Sequence, residues 1–399
     1  QVWFVVGNEA SDLDSMVCAV GLSFYLSTKL DHQLLIVPLF HIPREDFKLR
    51  TESDWLLSRE LGIDIDSILF FDDFEKLSST TTNQAYFILV DHNRCSTSLE
   101  QHFIAQQKAK VIAIMDHHHD DQLYLDTTTN QFDQFSQLDK LFSALSDQTS
   151  TSGIDGRRYI QPVGSAATLL THFMINDQVF FNLYGKDEAL TRFLLSPILI
   201  DTGNLSDQVG RATDKDKAIT KRLLDEVSSG DKFQQSLFTL LQSKKFANDH
   251  LSTTDLLRKD YKEWNVVEPS IQFGISAMVV TGNELMLSKK RTPLKDIGAF
   301  YQQHSLNLLL IMCMFYDSNN QFHRQLAIYS ENPLLLKDVE NFLLTNENAM
   351  TLLALKASDQ LNSNIQSSSH IVWYDQHNVK SSRKQIQPLM LKSFHRDKL

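Results

Sequence analysis

Short apolar runs that end in acidic or imidazole side chains recur along the first half of the chain. The clearest run covers residues 111–115 and ends in Asp116, His117 and His118. A buried strand has this pattern where it leaves the core and enters a polar crevice. A solvated loop that follows a strand would show the same pattern. The ends of the other predicted strands therefore decide whether this run is a loop or a binding site. At the carboxyl ends of strands in an open α/β sheet, metal ligation is the natural use of such residues.

Four more apolar runs with helical spacing between them predict further strands, so the N-terminal half is expected to be a doubly wound, mainly parallel sheet. A helix with Asp14 or Ser15 as its N-cap follows the first strand. The predicted strands cover residues 3–7, 34–40, 67–71, 86–90 and 110–115.

The C-terminal half predicts a smaller α/β domain with a mixed sheet. We expect domains at 1–210 and 233–399, a linker at 211–232, and an active site in the cleft between the domains. An insert at 122–156, rich in Ser, Thr, Gln and Asp, is expected to be a surface loop. The strands predicted for the second domain cover residues 273–280, 308–315, 325–329 and 371–373.

Candidate ligands follow three of the five N-terminal strands, and a fourth contributor lies downstream. The loop 8–14 follows the first strand, Asp91 the fourth, the Asp116 run the fifth, and Asp201 a later apolar run. Carboxylates about 5 Å apart repel by roughly 3 kcal/mol per pair at an effective dielectric near 20. Such crowding requires cations, although a structural Asp that caps a turn is the alternative for Asp201.

Composition narrows the class of protein. A net charge of -11 over 399 residues argues against binding to long nucleic acids, because that binding depends mainly on Lys and Arg. The longest apolar run, residues 308–315, is too short for a membrane span. Three scattered cysteines suit a reducing compartment, so we expect a cytoplasmic protein with no membrane association.

The candidate ligands also carry a specific resemblance. In order and approximate spacing they resemble the four motifs of the DHH phosphoesterase superfamily. Segments at 42–46, 163–169, 257–260 and 323–328 resemble its exopolyphosphatase and prune branch, whose members carry a C-terminal DHHA2 domain. The residues that match the four motifs are Asn8, Asp12, Asp14, Ser15, Asp91, His92, Asn93, Asp116, His117, His118 and Asp201.

The resemblance implies a hydrolase that releases terminal orthophosphate from inorganic polyphosphate, with preference for short chains. Two divalent cations, Mg²⁺ or Mn²⁺ with Co²⁺ as a substitute, are expected to activate water. His118 is expected to contact the phosphate or the nucleophile, and Asp116 to orient its neighbours. Asn8 stands where family II pyrophosphatases usually have His, which favours Mg²⁺. The expected metal ligands are Asn8, Asp12, Asp14, Asp91 as the bridge, His117 and Asp201.

Basic residues supply candidates for substrate binding. Alone, the pair Arg383 and Lys384 reads as a solvated turn. By resemblance to the DHHA2 domain, the pair is expected to bind substrate phosphates, which suits the Arg fork and the Lys point charge. Arg44, Lys259 and Arg324 are weaker candidates for the same role.

Three alternatives stay open. Two belong to the same superfamily: a phosphodiesterase acting on cyclic nucleotides or short oligonucleotides, and an inorganic pyrophosphatase. The third is a prune-like scaffold with weak activity, which the intact Asp-His-His run disfavours. The sequence specifies no protein partner.

Overall fold

The structure is a computed structural model that describes residues 2–30, 34–78, 84–124, 138, 140–142, 157–227, 230–248, 250–268, 270–287, 292–317, 321–364 and 370–394. The chain divides into two compact units, Gln1–Phe246 and Ala247–Leu399. Each unit has its own sheet and its own hydrophobic core. Most of the insert expected at 122–156 lies outside the described residues.

The first unit is built on a six-stranded sheet in the order β3-β2-β1-β4-β5-β6, and every neighbouring pair is parallel. The chain moves outward from β1 to β3, then returns to β4 and continues in the other direction. This confirms the predicted doubly wound sheet and puts its topological switch point between β1 and β4. The strands are β1 (Val2–Val6), β2 (Leu35–Phe40), β3 (Leu69–Phe70), β4 (Ala85–Val90), β5 (Ala109–Asp116) and β6 (Arg158–Ile160).

Helices cover this sheet, and their ends follow local capping chemistry. The first helix begins at Leu13 because the Asp12 carboxylate accepts a hydrogen bond from the Ser15 amide at 3.1 Å. The helices are Leu13–Lys29, Thr51–Asp54, Phe71–Ser78, Thr97–Leu99, Ala166–Asn176, Gln178–Tyr184, Glu188–Thr202, Asp214–Leu224 and Gly230–Lys245. Shorter 3-10 or π-helical turns cover Arg44–Leu49, Trp55–Glu60, Ile65–Ser67 and Glu100–Ile104.

The boundary between the units differs from the expected one. The segment 211–232, expected to be a linker, contains the helix Asp214–Leu224, and buried Asp216 accepts a hydrogen bond from the Gly164 amide at 2.8 Å. The next helix, Gly230–Lys245, buries two leucines in the first core. Helical periodicity shows that one face of a helix is apolar, but it does not show which core covers that face. The boundary between the two units could therefore not be predicted from the sequence.

The second unit has a mixed sheet, as predicted. Its order is β11-β12-β10-β9-β8-β7; only β8 and β9 pair in parallel among the described strands, and the other pairs are antiparallel. The strands are β7 (Tyr261–Val266), β8 (Ile271–Met278), β9 (Leu308–Tyr316), β10 (Phe322–Tyr329), β11 (Leu355–Ala357) and β12 (Ile371–Gln376). The helices are Thr253–Lys259, Gly282–Leu287, Pro293–Gln303, Pro333–Thr345, Glu347–Leu353, Asp359–Asn364 and Arg383–Phe394.

Among the described residues, no helix has both the length and the apolar composition that a bilayer span needs.

Candidate metal centre

Three neighbouring strands of the first sheet end beside one another and carry most of the predicted ligands. Asn8 follows β1, Asp91 follows β4, and Asp116 is the last residue of β5. The strands β1, β4 and β5 are adjacent and parallel, so their carboxyl ends share one edge. This edge includes the topological switch point, where open α/β sheets bind their ligands.

Asp91 is the centre of the cluster. It is buried, with 2% of its surface exposed, and its backbone is left-handed with a φ of 61°, which is uncommon outside glycine. Its Oδ2 accepts hydrogen bonds from Ser15 Oγ at 2.7 Å and from Asn8 Nδ2 at 2.8 Å. Its Oδ1 lies 3.2 Å from His117 Nε2 and 3.9 Å from His118 Nδ1. One carboxylate therefore joins all three strand ends.

The two histidines are oriented by their Nδ1 atoms. His117 Nδ1 lies 2.9 Å from the Val163 carbonyl oxygen, which can only accept, so this nitrogen carries the proton. When His117 loses its second proton, the lone pair of its Nε2 becomes available on the side of Asp91. His118 Nδ1 donates to Asp116 Oδ1 at 2.8 Å, and its side chain is 56% exposed. A proton on Nδ1 that leaves Nε2 available is the usual arrangement of a metal-ligating histidine.

Asp116 holds this end of β5 in place. Its Oδ1 accepts hydrogen bonds from the backbone amides of His117 and His118, at 2.7 and 3.2 Å, as well as from the His118 ring. Its Oδ2 accepts from Asn93 Nδ2 at 2.6 Å. Burial raises the pKa of Asp116, but the hydrogen bonds from His118 and Asn93 outweigh it and lower that pKa. Asp116 is therefore an ionised group with four donors, placed to orient the loop.

Asp14 connects the cluster to the helix Ala166–Asn176. Its carboxylate accepts hydrogen bonds from Ser165 Oγ at 2.8 Å and from the amides of Ala166 and Ala167 at 2.6 and 2.8 Å. The Oδ2 atom also lies 3.9 Å from His117 Nε2. The helix N-terminus favours a negative charge at this position. Asp14 is thus fixed in orientation at the edge of the cluster.

Asn8 faces the cluster with its amide nitrogen. Its Oδ1 accepts hydrogen bonds from the amides of Ala10 and Ser11 at 2.9 and 3.1 Å, while Nδ2 donates to Asp91. In this arrangement Asn8 positions Asp91, and the amide must rotate before its oxygen can bind a cation. The exposed Asp12 caps the first helix through Oδ1.

Asp201 lies in the last turn of the helix Glu188–Thr202 and is electrostatically coupled to the cluster. Burial raises its pKa well above the usual value, and the negative charges of Asp14, Asp12 and Asp91 raise it further. The pKa of Asp91 is raised to about 7, first by burial and then by the charge of Asp14. Burial likewise raises the pKa of Asp14. These carboxylates are mutually repelling groups that a cation would stabilise.

The histidine beside them responds in the opposite direction. Burial lowers the pKa of His117, but its hydrogen bond to Asp91 and the charge of Asp14 outweigh this effect and raise it to about 10. Without a cation, positive charge is supplied by this imidazolium. Asp91, His117 and His118 offer ligand atoms within 4.8 Å of one another, so this group fits a metal ion.

The predicted phosphate ligands of the first unit and of β10 make local contacts. Arg44 donates to Asp73 Oδ2 from Nε and Nη2 at 3.1 and 2.8 Å, and to the carbonyls of Ile65 and Ile68 at 3.0 and 2.9 Å. Its guanidinium therefore fastens the segments around β3. Arg324 Nε donates to the Val379 carbonyl at 2.8 Å.

The other basic candidates also lie in the second unit. Arg383 donates to the carbonyl and the Oδ1 of Asp260, at 2.8 and 2.7 Å. Lys259 Nζ lies 3.1 Å from Asn248 Oδ1. Lys384 is exposed. The structure thus gives Arg383 and Lys259 contacts within their own unit.

Sequence reasoning assigned three residues no role in the centre that they organise, and it considered Ser15 only as a helix N-cap. Ser15 accepts from the Asn8 amide at 3.0 Å and donates to Asp91, Ser165 donates to Asp14, and Asn93 donates to Asp116. Ser15 and Asn93 belong to the motifs, so the sequence already indicated that they lie near the predicted ligands. Their donor roles depend on side-chain orientation, which spacing does not give.

Comparisons with known proteins agree with this architecture. The profile of the DHH family, N-terminal domain, matches residues 3–200, and that of the DHHA2 domain matches residues 239–393. Exopolyphosphatase PRUNE1 of Rattus norvegicus is 28% identical over 390 residues, which cover 97% of this chain and 74% of the rat protein. A Schizosaccharomyces pombe protein provisionally named an exopolyphosphatase is 28% identical over 400 residues, which cover 98% of this chain and 90% of that protein.

Solved structures also align over most of the chain. One is a protein of Methanococcus jannaschii provisionally described as a family II inorganic pyrophosphatase, with a TM-score of 0.46 and 18% identity. The alignment covers 99% of this chain and 100% of that protein.

Proposed function

Because the chain belongs to the DHH family of proteins with a C-terminal DHHA2 domain, we propose that it is a metal-dependent exopolyphosphatase. It is a hydrolase of phosphoanhydride bonds that releases orthophosphate from the end of inorganic polyphosphate. The names of its relatives support this reaction. The observation that carries the proposal is the joining of three strand ends through Asp91, with His117 and His118 as its neighbours.

We infer that the site takes two divalent cations, Mg²⁺ or Mn²⁺, with Co²⁺ as a substitute. Carboxylate-rich ligands with one or two imidazoles suit these ions. Bound cations supply charge neutralisation and lower the pKa of a water ligand. The residues assigned to hold them are Asp12, Asp14, Asp91, His117 and Asp201, together with Asn8 after rotation of its amide.

The protein groups around the reacting phosphate have separate tasks. His118 is the more exposed of the two imidazoles, so it is the one assigned to contact the terminal phosphate. Asp116 keeps the His118 ring in one orientation and stabilises its protonated form, since their hydrogen bond raises the pKa of His118. A protonated His118 donates a hydrogen bond to a phosphate oxygen and favours the accumulation of charge there.

We assign Arg383 and Lys384 of the second unit to substrate phosphates further along the chain. Their charges and the resemblance to the DHHA2 domain support this role. The Arg383 guanidinium donates two hydrogen bonds to Asp260, so its side chain is already ordered. Substrate binding would therefore cost less side-chain conformational entropy. The substrate is a small polyanion, and the proposal includes no long nucleic acid and no membrane.

A cytoplasmic location also belongs to the proposal. Its support is chemical, since all three cysteines are free and buried.

The test is phosphate release from tripolyphosphate, pyrophosphate and cyclic AMP, measured side by side in Mg²⁺ and in Mn²⁺. We expect the highest kcat/KM with tripolyphosphate and no release from any substrate by Asp91→Ala. Preference for pyrophosphate or for cyclic AMP would replace the proposal by the corresponding hydrolase. Equal release by the Asp91→Ala variant would refute the site.

A further inference from the structure

Arg50 lies against the loop that carries Asn8 and Asp12. Its Nε donates a hydrogen bond to the carbonyl oxygen of Ala10 at 2.9 Å. Ala10 is two residues from each of the two predicted ligands, and its own amide donates to Asn8 Oδ1 at 2.9 Å. The guanidinium therefore rests on the same loop that contributes to the metal centre.

The remaining guanidinium nitrogens of Arg50 point to a use beyond folding. Within the part of the chain that the structure describes, no carboxylate pairs with Arg50. Other arginines of the unit do have such partners: Arg59 lies 2.8 Å from Asp54, and Arg94 lies 2.6 Å from Asp121. An arginine with two terminal amino groups available at an anion site offers a bidentate fork for phosphate.

The backbone at Arg50 is fixed on both sides. Its amide donates to the Phe47 carbonyl at 2.9 Å, and its carbonyl accepts from the Asp54 amide at 2.8 Å. The turn Arg44–Leu49 ends here and the helix Thr51–Asp54 begins. Because the backbone and Nε are held, ordering the fork on a ligand would cost less conformational entropy than ordering a free arginine.

The backbone of Lys245 is joined to the residue that follows Arg50. The buried Thr51 side chain donates to the carbonyl oxygen of Lys245 at 3.2 Å, which joins the two segments. The Lys245 ammonium is near enough to Asp201 to interact electrostatically with its carboxylate. Arg50 and Lys245 therefore lie on two joined segments, with Lys245 near one predicted metal ligand and Arg50 against the loop that carries two others.

We propose that Arg50 and Lys245 form a cationic subsite of the first unit, which binds the phosphate group next to the one held at the Asp91 cluster. This inference rests on the proposed function and adds to it the residues that hold the rest of the polyanion. A phosphoanhydride substrate carries several negative charges, so two positively charged side chains near the predicted metal ligands complement the charge that the metals leave unmatched. The subsite acts on substrate binding more than on the chemical step.

The test uses the purified full chain with Mg²⁺ and compares Arg50→Gln and Lys245→Gln with the control Arg59→Gln. The control removes the same charge from an exposed arginine that is paired with Asp54. We expect the KM for tripolyphosphate to rise about 10- to 100-fold in Arg50→Gln, the range for a lost charged hydrogen bond, and about threefold in Lys245→Gln. The control should keep the wild-type KM.

Two further measurements separate binding from a structural role. Calorimetric Mg²⁺ affinity should be unchanged in Arg50→Gln, and Arg50→Lys, which keeps the charge, should recover part of the lost substrate affinity. A wild-type KM in Arg50→Gln would overturn the proposal. A loss of Mg²⁺ binding would also overturn it, because Arg50 would then only support the metal loop.

Failure of the proposed function is distinguishable from failure of the subsite. If the wild-type protein releases no phosphate from tripolyphosphate, the proposed function fails, and the subsite is then tested by calorimetric binding of imidodiphosphate in Mg²⁺. Binding at least about tenfold weaker in Arg50→Gln than in the wild type supports the subsite. Equal binding by the two proteins, or no binding by the wild type, overturns it.

Discussion

The two sheets of the molecule distribute their polar side chains in different ways. In the first unit the parallel strands β1, β4 and β5 all end at one edge, and Asp91 and His117 meet there. In the second unit most strands are antiparallel, so their ends alternate between two edges. In the second unit the predicted phosphate ligand Arg383 pairs with Asp260 of the same unit. Strand direction therefore decides where reactive groups can accumulate.

The largest expected effect comes from the strand end of β4. Asp91→Asn removes the charge, but Asn tolerates the left-handed backbone at this position. We expect phosphate release to fall on the order of 10³-fold, since Asp91 is the centre of the cluster. The matched control is Asp375→Asn on β12, whose carboxylate accepts from Gln325 at 2.9 Å and which should remain active. If Asp375→Asn lost activity and Asp91→Asn kept it, the reactive groups would have to lie on the second sheet and not on the first.

Metal removal should expose the charge repulsion of the first unit. Without a cation, the folded state holds protons on Asp91, with a pKa of about 7, and on His117, with a pKa of about 10. Because both pKa values are raised, the folded state binds these two protons more tightly than the unfolded state does. The free energy of unfolding of the metal-free protein should therefore fall as pH rises towards the two raised pKa values, and so between pH 6 and 9. A cation binds the deprotonated ligands and should reverse this trend.

The measurement is thermal unfolding across that pH range, with EDTA and with Mg²⁺. We expect the rise in melting temperature on adding Mg²⁺ to be larger at pH 8.5 than at pH 6, by several degrees for each ~2 kcal/mol of differential stabilisation. Asp91→Asn should remove most of this pH dependence. If the rise in melting temperature on adding Mg²⁺ became smaller at higher pH, the assignment of these residues as metal ligands would be contradicted.

Asp116→Asn should have a smaller effect than the change at Asp91. The amide still accepts one hydrogen bond but loses the charge that stabilises protonated His118. We expect kcat to fall about 10- to 100-fold, the usual range for residues that orient ligands. The pH profile should also shift, with activity declining at a lower pH than in the wild type. An unchanged profile would show that Asp116 only supports the loop.

The smallest expected effect concerns stability at one glycine in each unit. A Cβ on Gly164 would lie 2.4 Å from Thr202 Cγ2 and 3.0 Å from Asp216 Oδ2, so Gly164→Ala should destabilise the protein by about 1–3 kcal/mol. Gly298→Ala, in the helix Pro293–Gln303, meets only Tyr329 Oη at 3.2 Å and gains helix propensity. Chemical denaturation should therefore show a loss for the first variant and little change for the second.

The central strands could be predicted from the sequence because their apolar runs are continuous and end sharply. The strand β3 is shorter than predicted, since Phe71 already begins the next helix. The strands β6, β7 and β11 were missed. They lie at sheet edges, and half of the residues of β7 are polar and its strand is little buried, so hydrophobicity gives a weak signal there.

Of the candidate site, the sequence predicted proximity better than orientation. Asp91 and His117 directly follow strands, so the fold alone brings them together. The amide of Asn8 and the guanidinium of Arg44 were expected to face ligands, yet the first donates to Asp91 and the second to Asp73. Such choices depend on competing hydrogen-bond partners distant in the sequence. The assignment of these residues to metals and phosphates stays a prediction.

The anchoring of Asp14 has a consequence for ion discrimination. Three donors from one helix start hold this carboxylate at a set angle, and Ser15 and Asn8 hold Asp91 in a similar way. We therefore expect the proposed metal site to expand little around an ion of larger radius. Such a site would favour the compact octahedral shell of Mg²⁺ over Ca²⁺, which needs more oxygens at longer distances.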